Sequence, residues 1–181
     1  MKRLAAVLAL VLAAFVPASI PAHAASDSLS LEANQAYLAA NAKKKGVIVR
    51  TDGLQFKILQ NGFGKRPTPT DTVSVYYTGT LINGTVFDGT SPGLPDSLKV
   101  NSVIQGWIEA LELMREGDHW QLVIPSNLGY GNRTMGDGTI PPNQTLVFDL
   151  RLIATTPAPK RGEKGYIPDP TDKDGPDSQP Q

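Results

Sequence analysis

The side chains that could do acid–base or nucleophilic work are few and isolated. There is no cysteine in the 181 residues, which removes a thiolate nucleophile, a disulfide framework and a lipid-modified cysteine together. Of the two histidines, His23 lies in an N-terminal leader and His119 remains. One histidine without cysteine makes neither a zinc site nor a Cys-His pair, and a Ser-His-Asp triad would rest on a residue in a strand beside Trp120. His119 reads as a surface strand residue. Asp88 follows Phe87 at the end of an apolar run, where a carboxylate suits a general base, but no second acid stands near it. An aspartate bonded to its own loop is the plainer reading. Gly129-Tyr130-Gly131 lacks the third glycine of a dinucleotide loop and follows no βαβ pattern. Asn83, Asn132 and Asn143 each open an N-x-T sequon and read as turn residues.

What remains is aromatic rather than ionisable. Ile104, Trp107, Ile108, Leu111 and Met114 recur at helical spacing after Val103, so residues 103–114 read as one short helix whose apolar face needs a sheet to cover it. Gly106 is expected to bring a backbone close to the indole. Trp107 is open to two readings, core filler or the floor of a pocket.

The elements that would position these residues follow from alternation. Leu54, Phe56 and Ile58 mark a first strand. Val73, Val75, Tyr77, Gly79 and Leu81 share one face of a long strand, 72–82, and Asn83-Gly84 signals a type I′ hairpin returning through Val86-Phe87-Asp88. Leu98 to Asn101 resume a short strand before the helix, and Gly117-Asp118 stop that helix. Trp120, Leu122 and Ile124 mark the next strand. Ser126 to Asn143 form a long loop with four glycines and Pro141-Pro142, a length that usually carries function. Leu146, Phe148, Leu150 and Leu152 alternate in a closing strand over 144–154. The chain is therefore expected to be α+β, an antiparallel sheet of five or six strands around one short helix.

The ends differ from this domain. Residues 1–24 carry Lys2 and Arg3, an apolar run from Leu4 to Val16 and Ala22-His23-Ala24, the layout of a cleaved signal peptide. Export to a periplasm and a soluble mature chain are expected, since no later segment has the ~18 continuous apolar residues of a membrane span. Without Lys2 and Arg3 the chain keeps 15 basic residues against 17 acidic ones, which argues against a nucleic-acid partner. Residues 25–45 form a short helical extension, capped by Ser28 or Ser30 and ended by Gly46, with a thin apolar stripe around Leu31, Tyr37 and Leu38. From Thr156 six prolines mix with charges and glycine, so residues 156–181 are expected to be a disordered tail.

Taken in order, Val75-Tyr76-Tyr77-Thr78-Gly79, Gly84-Thr85-Val86-Phe87-Asp88, Val103-Ile104-Gln105-Gly106-Trp107, Gly129-Tyr130-Gly131, Ile140-Pro141-Pro142 and Thr145-Leu146-Val147-Phe148-Asp149 resemble the FKBP-type peptidyl-prolyl cis-trans isomerases. The match runs from about Gly46 to Ile153, and the isomerase domain is expected to span residues 46–155. Residues 32–58 resemble the segment before the catalytic domain in the macrophage infectivity potentiator group, without that group's long dimerising helix, and a monomer is expected. The resemblance implies an enzyme with no cofactor and no metal that isomerises X-Pro bonds. Its catalytic pocket would be Tyr77, Phe87, Asp88, Trp107, Tyr130 and Phe148, with Leu98, Val103, Ile104 and Ile140 in substrate contact. It implies proline-containing polypeptides as clients, and the macrolides FK506 and rapamycin as inhibitors. A peptide-binding chaperone with little turnover is the alternative. Leu98 stands where the family usually has an aromatic, and residues 89–97 lack the Arg that often partners the Asp at position 88, which implies a more open pocket.

Overall fold

The structure, a computed structural model, describes residues 28–160 and 162–166. The leader and residues 167–181 of the tail lie outside the described residues. Helix α1 is Leu31–Asn41, and the strands are β1 Val47–Val49, β2 Gln55–Gln60, β3 Thr72–Leu81, β4 Val86–Gly89, β5 Asp96–Lys99, β6 His119–Ile124 and β7 Leu146–Thr156. Helix α2, Gln105–Leu113, lies between β5 and β6.

All pairings are antiparallel, in the order β1-β2-β6-β7-β3-β4. Strand β3 is central: β7 runs along one edge, and the other is shared by β5, against residues 72–75, and β4, against residues 78–80. The sheet has seven strands rather than five or six, because the three-residue β1 carries too short a pattern to register in the sequence. The α+β expectation holds, with α1 outside the sheet and α2 as the helix it covers.

The alternating faces meet in one core. Val73, Val75 and Leu81 from β3, Trp120, Leu122 and Ile124 from β6, and Leu146, Phe148, Leu150 and Leu152 from β7 are buried against Trp107, Ala110, Leu111 and Met114 of the α2 segment. Gly106 does permit a close approach, but to β6 rather than to the indole: a Cβ there would lie 2.6 Å from Ile124 Cγ2. No side chain larger than hydrogen fits between helix and strand. The helix ends at Leu113, four residues before Gly117, with Met114 as its C-cap.

Several local expectations change. The 81–85 turn is not type I′, because only Gly84, at φ +87°, has positive φ and Asn83 does not. Gly84 N–H reaches Leu81 O and Leu81 N–H reaches Thr85 O, both at 2.9 Å, which makes a type I turn with a glycine bulge. The Asn83 side chain holds it by accepting from Thr85 N–H at 3.0 Å. Strand β5 starts two residues before Leu98, and Val100–Ser102 is a 3-10 turn instead of strand. His119 opens β6 half-buried, its Nε2 2.7 Å from Asp149 Oδ1, so it is a paired residue rather than a free surface one.

Helix α1 is capped by Ser30, whose Oγ accepts from Ala33 N–H at 3.1 Å, and ends at Asn41, well before Gly46. It docks through polar side chains. Asn34 and Asn41 are its buried residues, whereas Leu31 is half exposed. The tail expectation is corrected at its start. Strand β7 continues through Thr156, Thr155 N–H donates to Glu116 Oε1 at 2.7 Å, and Ala158 N–H donates to Asp71 Oδ1 at 3.3 Å. Acceptors on distant carboxylates hold this stretch, and apolar periodicity cannot report them.

Candidate active-site cleft

A cleft of about 550 Å³ opens at the N-terminal end of α2. Its floor is Trp107, in the first turn of the helix and 3% exposed. Strand β3 contributes Tyr77, whose ring stands edge-on to the indole with centroids 5.0 Å apart and planes at 89°. Strand β7 contributes Phe148, again edge-on to the indole at 5.2 Å and 84°. Edge-to-face geometry puts ring hydrogens against a π face, the favoured arrangement for aromatic pairs. Leu98 from β5, then Val103 and Ile104 ahead of the helix, close one side, and Tyr130 from the long loop closes the other.

The register explains why these rings meet. Gly79 of β3 sits opposite Phe148 on one side and Asp88 on the other. A Cβ at Gly79 would lie 2.7 Å from Phe148 Cε1 and 2.8 Å from Phe87 Cε2 and Cζ, so the glycine makes the space in which both rings pack. Phe87 stands edge-on to Phe148 at 5.5 Å and 90°.

Eight of the ten expected residues line the cleft, and Phe87 and Ile140 do not. Phe87 is turned onto Phe148 and supports that wall from behind. Ile140 is buried in the long loop, which closes on itself through paired Met135–Ile140 backbone bonds of 3.0 Å. Ser102, Gln105, Gly129 and Arg133 line the cleft without having been singled out. Ser102 immediately precedes the 103–107 motif and Gln105 lies within it, so both sit where its spacing already points. Nothing in the sequence pattern marks Arg133, whose Nε donates to Tyr130 O at 3.3 Å.

The polar groups are arranged without a proton-transfer pair. Asp88 Oδ2 accepts from the Tyr77 hydroxyl at 2.8 Å, and its Oδ1 accepts from Gly89 N–H at 2.8 Å. The carboxylate thus bonds both its own loop and the cleft wall. Burial, then the bond to Asp88, pushes the Tyr77 phenol well above its ordinary range. Burial and the Asp88 charge also raise Tyr130, with Arg133 opposing. Both phenols stay protonated donors at neutral pH. The Ile104 amide, at the N-cap of α2, and the Tyr130 hydroxyl have no acceptor among the described residues. Among the described residues no cluster of His, Asp and Glu could hold a metal.

An antiparallel sheet around one helix, with an aromatic cleft where the helix begins, defines an FKBP-like domain. The FKBP-type peptidyl-prolyl cis-trans isomerase model matches residues 64–153, and the domain found amino-terminal to such isomerases matches residues 11–58. A 1.6 Å crystal structure of a peptidyl-prolyl cis-trans isomerase from Pseudomonas syringae pv. tomato is 36% identical with a TM-score of 0.66, covering 78% of this chain and all of that one. The chain belongs to the FKBP-type peptidyl-prolyl cis-trans isomerase family. It is 52% identical over 118 residues to the FKBP-type 22 kDa peptidyl-prolyl cis-trans isomerase of Escherichia coli K12, covering 65% of this chain and 57% of that protein. It is 49% identical over 124 residues to the outer membrane protein MIP of Legionella longbeachae, covering 68% of this chain and 53% of that protein. The match spans little more than half the length of these relatives. Among the described residues no helix is long and apolar enough to cross a membrane.

Proposed function

We propose that the chain is an exported peptidyl-prolyl cis-trans isomerase that accelerates folding of proline-containing polypeptides. The observation that carries this reading is the buried Trp107 floor with the Tyr77 and Phe148 rings perpendicular to it, an apolar seat open to the cleft and suited to a proline ring.

Rotation about an X-Pro bond faces roughly 18–20 kcal/mol, because twisting destroys amide resonance, and unaided it takes tens to hundreds of seconds. No proton has to move. The planar amide is more dipolar and better hydrated than the twisted one. A site that strips water and fits the twisted form therefore lowers the barrier by differential binding. About 5 kcal/mol supplies three to four orders of magnitude. In this scheme Trp107 carries the proline ring, Tyr77 and Phe148 are walls, and Phe87 positions Phe148. Leu98 and Val103 cover the neighbouring substrate residue. The Ile104 N–H and the Tyr130 hydroxyl are the free donors for substrate carbonyls. Asp88, with both oxygens engaged, holds the Tyr77 hydroxyl in place, and Ile140 braces the loop bearing Tyr130.

FK506 and rapamycin, which present a prolyl-amide mimic, are expected to compete for this seat. Export to the periplasm is supported by the leader sequence and by a relative named as an outer membrane protein. A monomer is supported by α1, which turns its buried side to its own domain.

A protease-coupled assay on an X-Pro tetrapeptide tests the reading. Wild type is expected to show macrolide-sensitive turnover, and Trp107→Leu at least a tenfold lower kcat/KM. Full activity at saturating macrolide would refute the seat, and prolyl-peptide binding without turnover would make the protein a holding chaperone instead.

A further inference from the structure

A second groove, of about 470 Å³, lies at the opposite end of α2. Trp107 lies in the first turn of the helix and Leu113 ends it, so these two residues are about 9 Å apart along its axis at 1.5 Å per residue. The groove is lined by Ile58 and Trp120 on the sheet, Leu113 at the helix end, and Phe63 on the loop after β2. Phe63 is 92% exposed and Ile58 36% exposed. A phenyl ring standing in water at the mouth of a groove that also holds the partly exposed Ile58 is an unusual surface, and two arginines rim it.

The rim has a definite sign. Arg66 Nη1 donates to the carbonyls of Glu112 and Leu113 at 3.0 and 2.6 Å, and Arg115 Nη1 donates to Gly64 O at 3.2 Å. Neither guanidinium has a carboxylate partner among the described residues, where the ion pairs are Arg50–Glu109 and His119–Asp149. Asp118 also lines the groove but is 5% exposed, and its carboxylate is turned inward onto the Gly62 and Arg115 amides. Glu116 beside it is engaged by Lys65 N–H and Thr155 N–H. The outward charge is therefore positive, held on planar forks whose remaining N–H groups suit a carboxylate.

We propose that this groove is a second polypeptide-binding surface. Its ligand is an extended, non-native segment that carries a bulky apolar side chain next to an Asp or Glu. The apolar side chain packs on Phe63, Ile58 and Leu113, and the acid meets Arg66 or Arg115. The site requires no proline and does not depend on the isomerase reading.

The sequence supplies its own reporter, because its two tryptophans divide between the clefts, Trp107 in one and Trp120 in the other. In Trp107→Phe, titration with a proline-free decapeptide holding two Phe-Glu pairs is expected to change Trp120 emission saturably. Its Kd should rise at least fivefold in the added Phe63→Ser variant, at an exposed position where folding is not at stake. A peptide with Gln in place of Glu should bind at least fivefold more weakly, and salt should narrow the difference. Equal affinity for Phe63→Ser, or for the Gln peptide, overturns the proposal, as does displacement by a saturating prolyl peptide. Fivefold tighter binding after deletion of residues 167–181 would make the chain's own tail the occupant. A dimer in sedimentation that Phe63→Ser dissolves would make it a second copy. Either result overturns the client assignment. A wild type without tetrapeptide turnover would leave these titrations unaffected, so the two readings fail separately.

Discussion

Replacing Gly79 by alanine tests whether the aromatic walls are as tightly coupled as the geometry requires. The added methyl would meet Phe148 Cε1 at 2.7 Å and Phe87 Cε2 and Cζ at 2.8 Å, about 0.6–0.7 Å inside ordinary contact. The backbone cannot yield, since Gly79 is paired with Phe148 of β7 and flanked by Asp88 of β4, so the rings must move. Overpacking of this kind costs roughly 1–3 kcal/mol, offset by the ~0.5–1 kcal/mol that glycine forfeits in a strand. The net expectation is a loss of about 0.5–2 kcal/mol in urea unfolding. Because Phe148 also stands edge-on to Trp107, its displacement weakens one wall contact worth about 1 kcal/mol, a roughly fivefold fall in tetrapeptide kcat/KM. Phe87→Ala opens room behind the methyl, so the double variant should be less destabilised than the sum of the singles. Unchanged stability and kcat/KM in Gly79→Ala would refute the claim that this glycine seats the rings.

Leu98→Phe adds a flat face to the open side of the cleft and should tighten macrolide binding by about 0.5–1.5 kcal/mol in calorimetry; no gain in a folded variant would remove Leu98 from the ligand contact. The raised Tyr77 pKa fixes a sign for alkaline stability. The folded chain keeps a proton that the unfolded chain releases near pH 10, so this stabilisation is full below pH 10 and is lost as pH climbs above it. The urea midpoint of Tyr77→Phe should therefore fall less between pH 9 and 11 than that of wild type, and equal slopes would contradict the assignment. Asn34→Ala should cost about 1–3 kcal/mol in urea unfolding, because it strips the buried Thr145 amide of its acceptor and Gln144 Oε1 of a donor. A neutral effect would mean that α1 is not docked in solution.

Much of this was legible in advance, for identifiable reasons. Period-two burial on β3, β6 and β7 and the helical recurrence from Ile104 to Met114 are long, regular signals, and most of the side chains they mark are buried, with Tyr77, Ile104 and Ile108 only partly so. The cleft residues stand out because six short motifs occur in a familiar order, not because their chemistry announces itself. What stayed hidden lacked periodicity. Strand β1 is three residues long, α1 docks through Asn34 and Asn41 rather than an apolar stripe, and the start of the tail is held by Asp71 and Glu116 from far along the chain. Hairpin chemistry misled at Asn83, whose side-chain bond to Thr85 N–H favours a turn with a single left-handed residue. Arg133 was missed because a charged residue in a glycine-rich loop carries no sign of which wall it will join.

The proposed isomerisation moves no proton and would have to draw its rate from shape, and the construction of the cleft suits that. Trp107 is held by the first turn of α2, Tyr77 and Phe148 by two strands whose register is unbroken from Val75 to Leu81, and only Tyr130 by a loop. The carboxylate that sequence alone would nominate as a base spends both oxygens on positioning, one on the Tyr77 hydroxyl and one on its own loop. Glycine does the complementary work: Gly106 lets the helix lie on β6 and so fixes the height of the floor, while Gly79 lets two rings close against each other and so fixes the wall. In the proposed function, preorganisation of this kind would already be complete before a client arrived, so substrate binding energy would not be spent on ordering the site and would be left for twisting the amide.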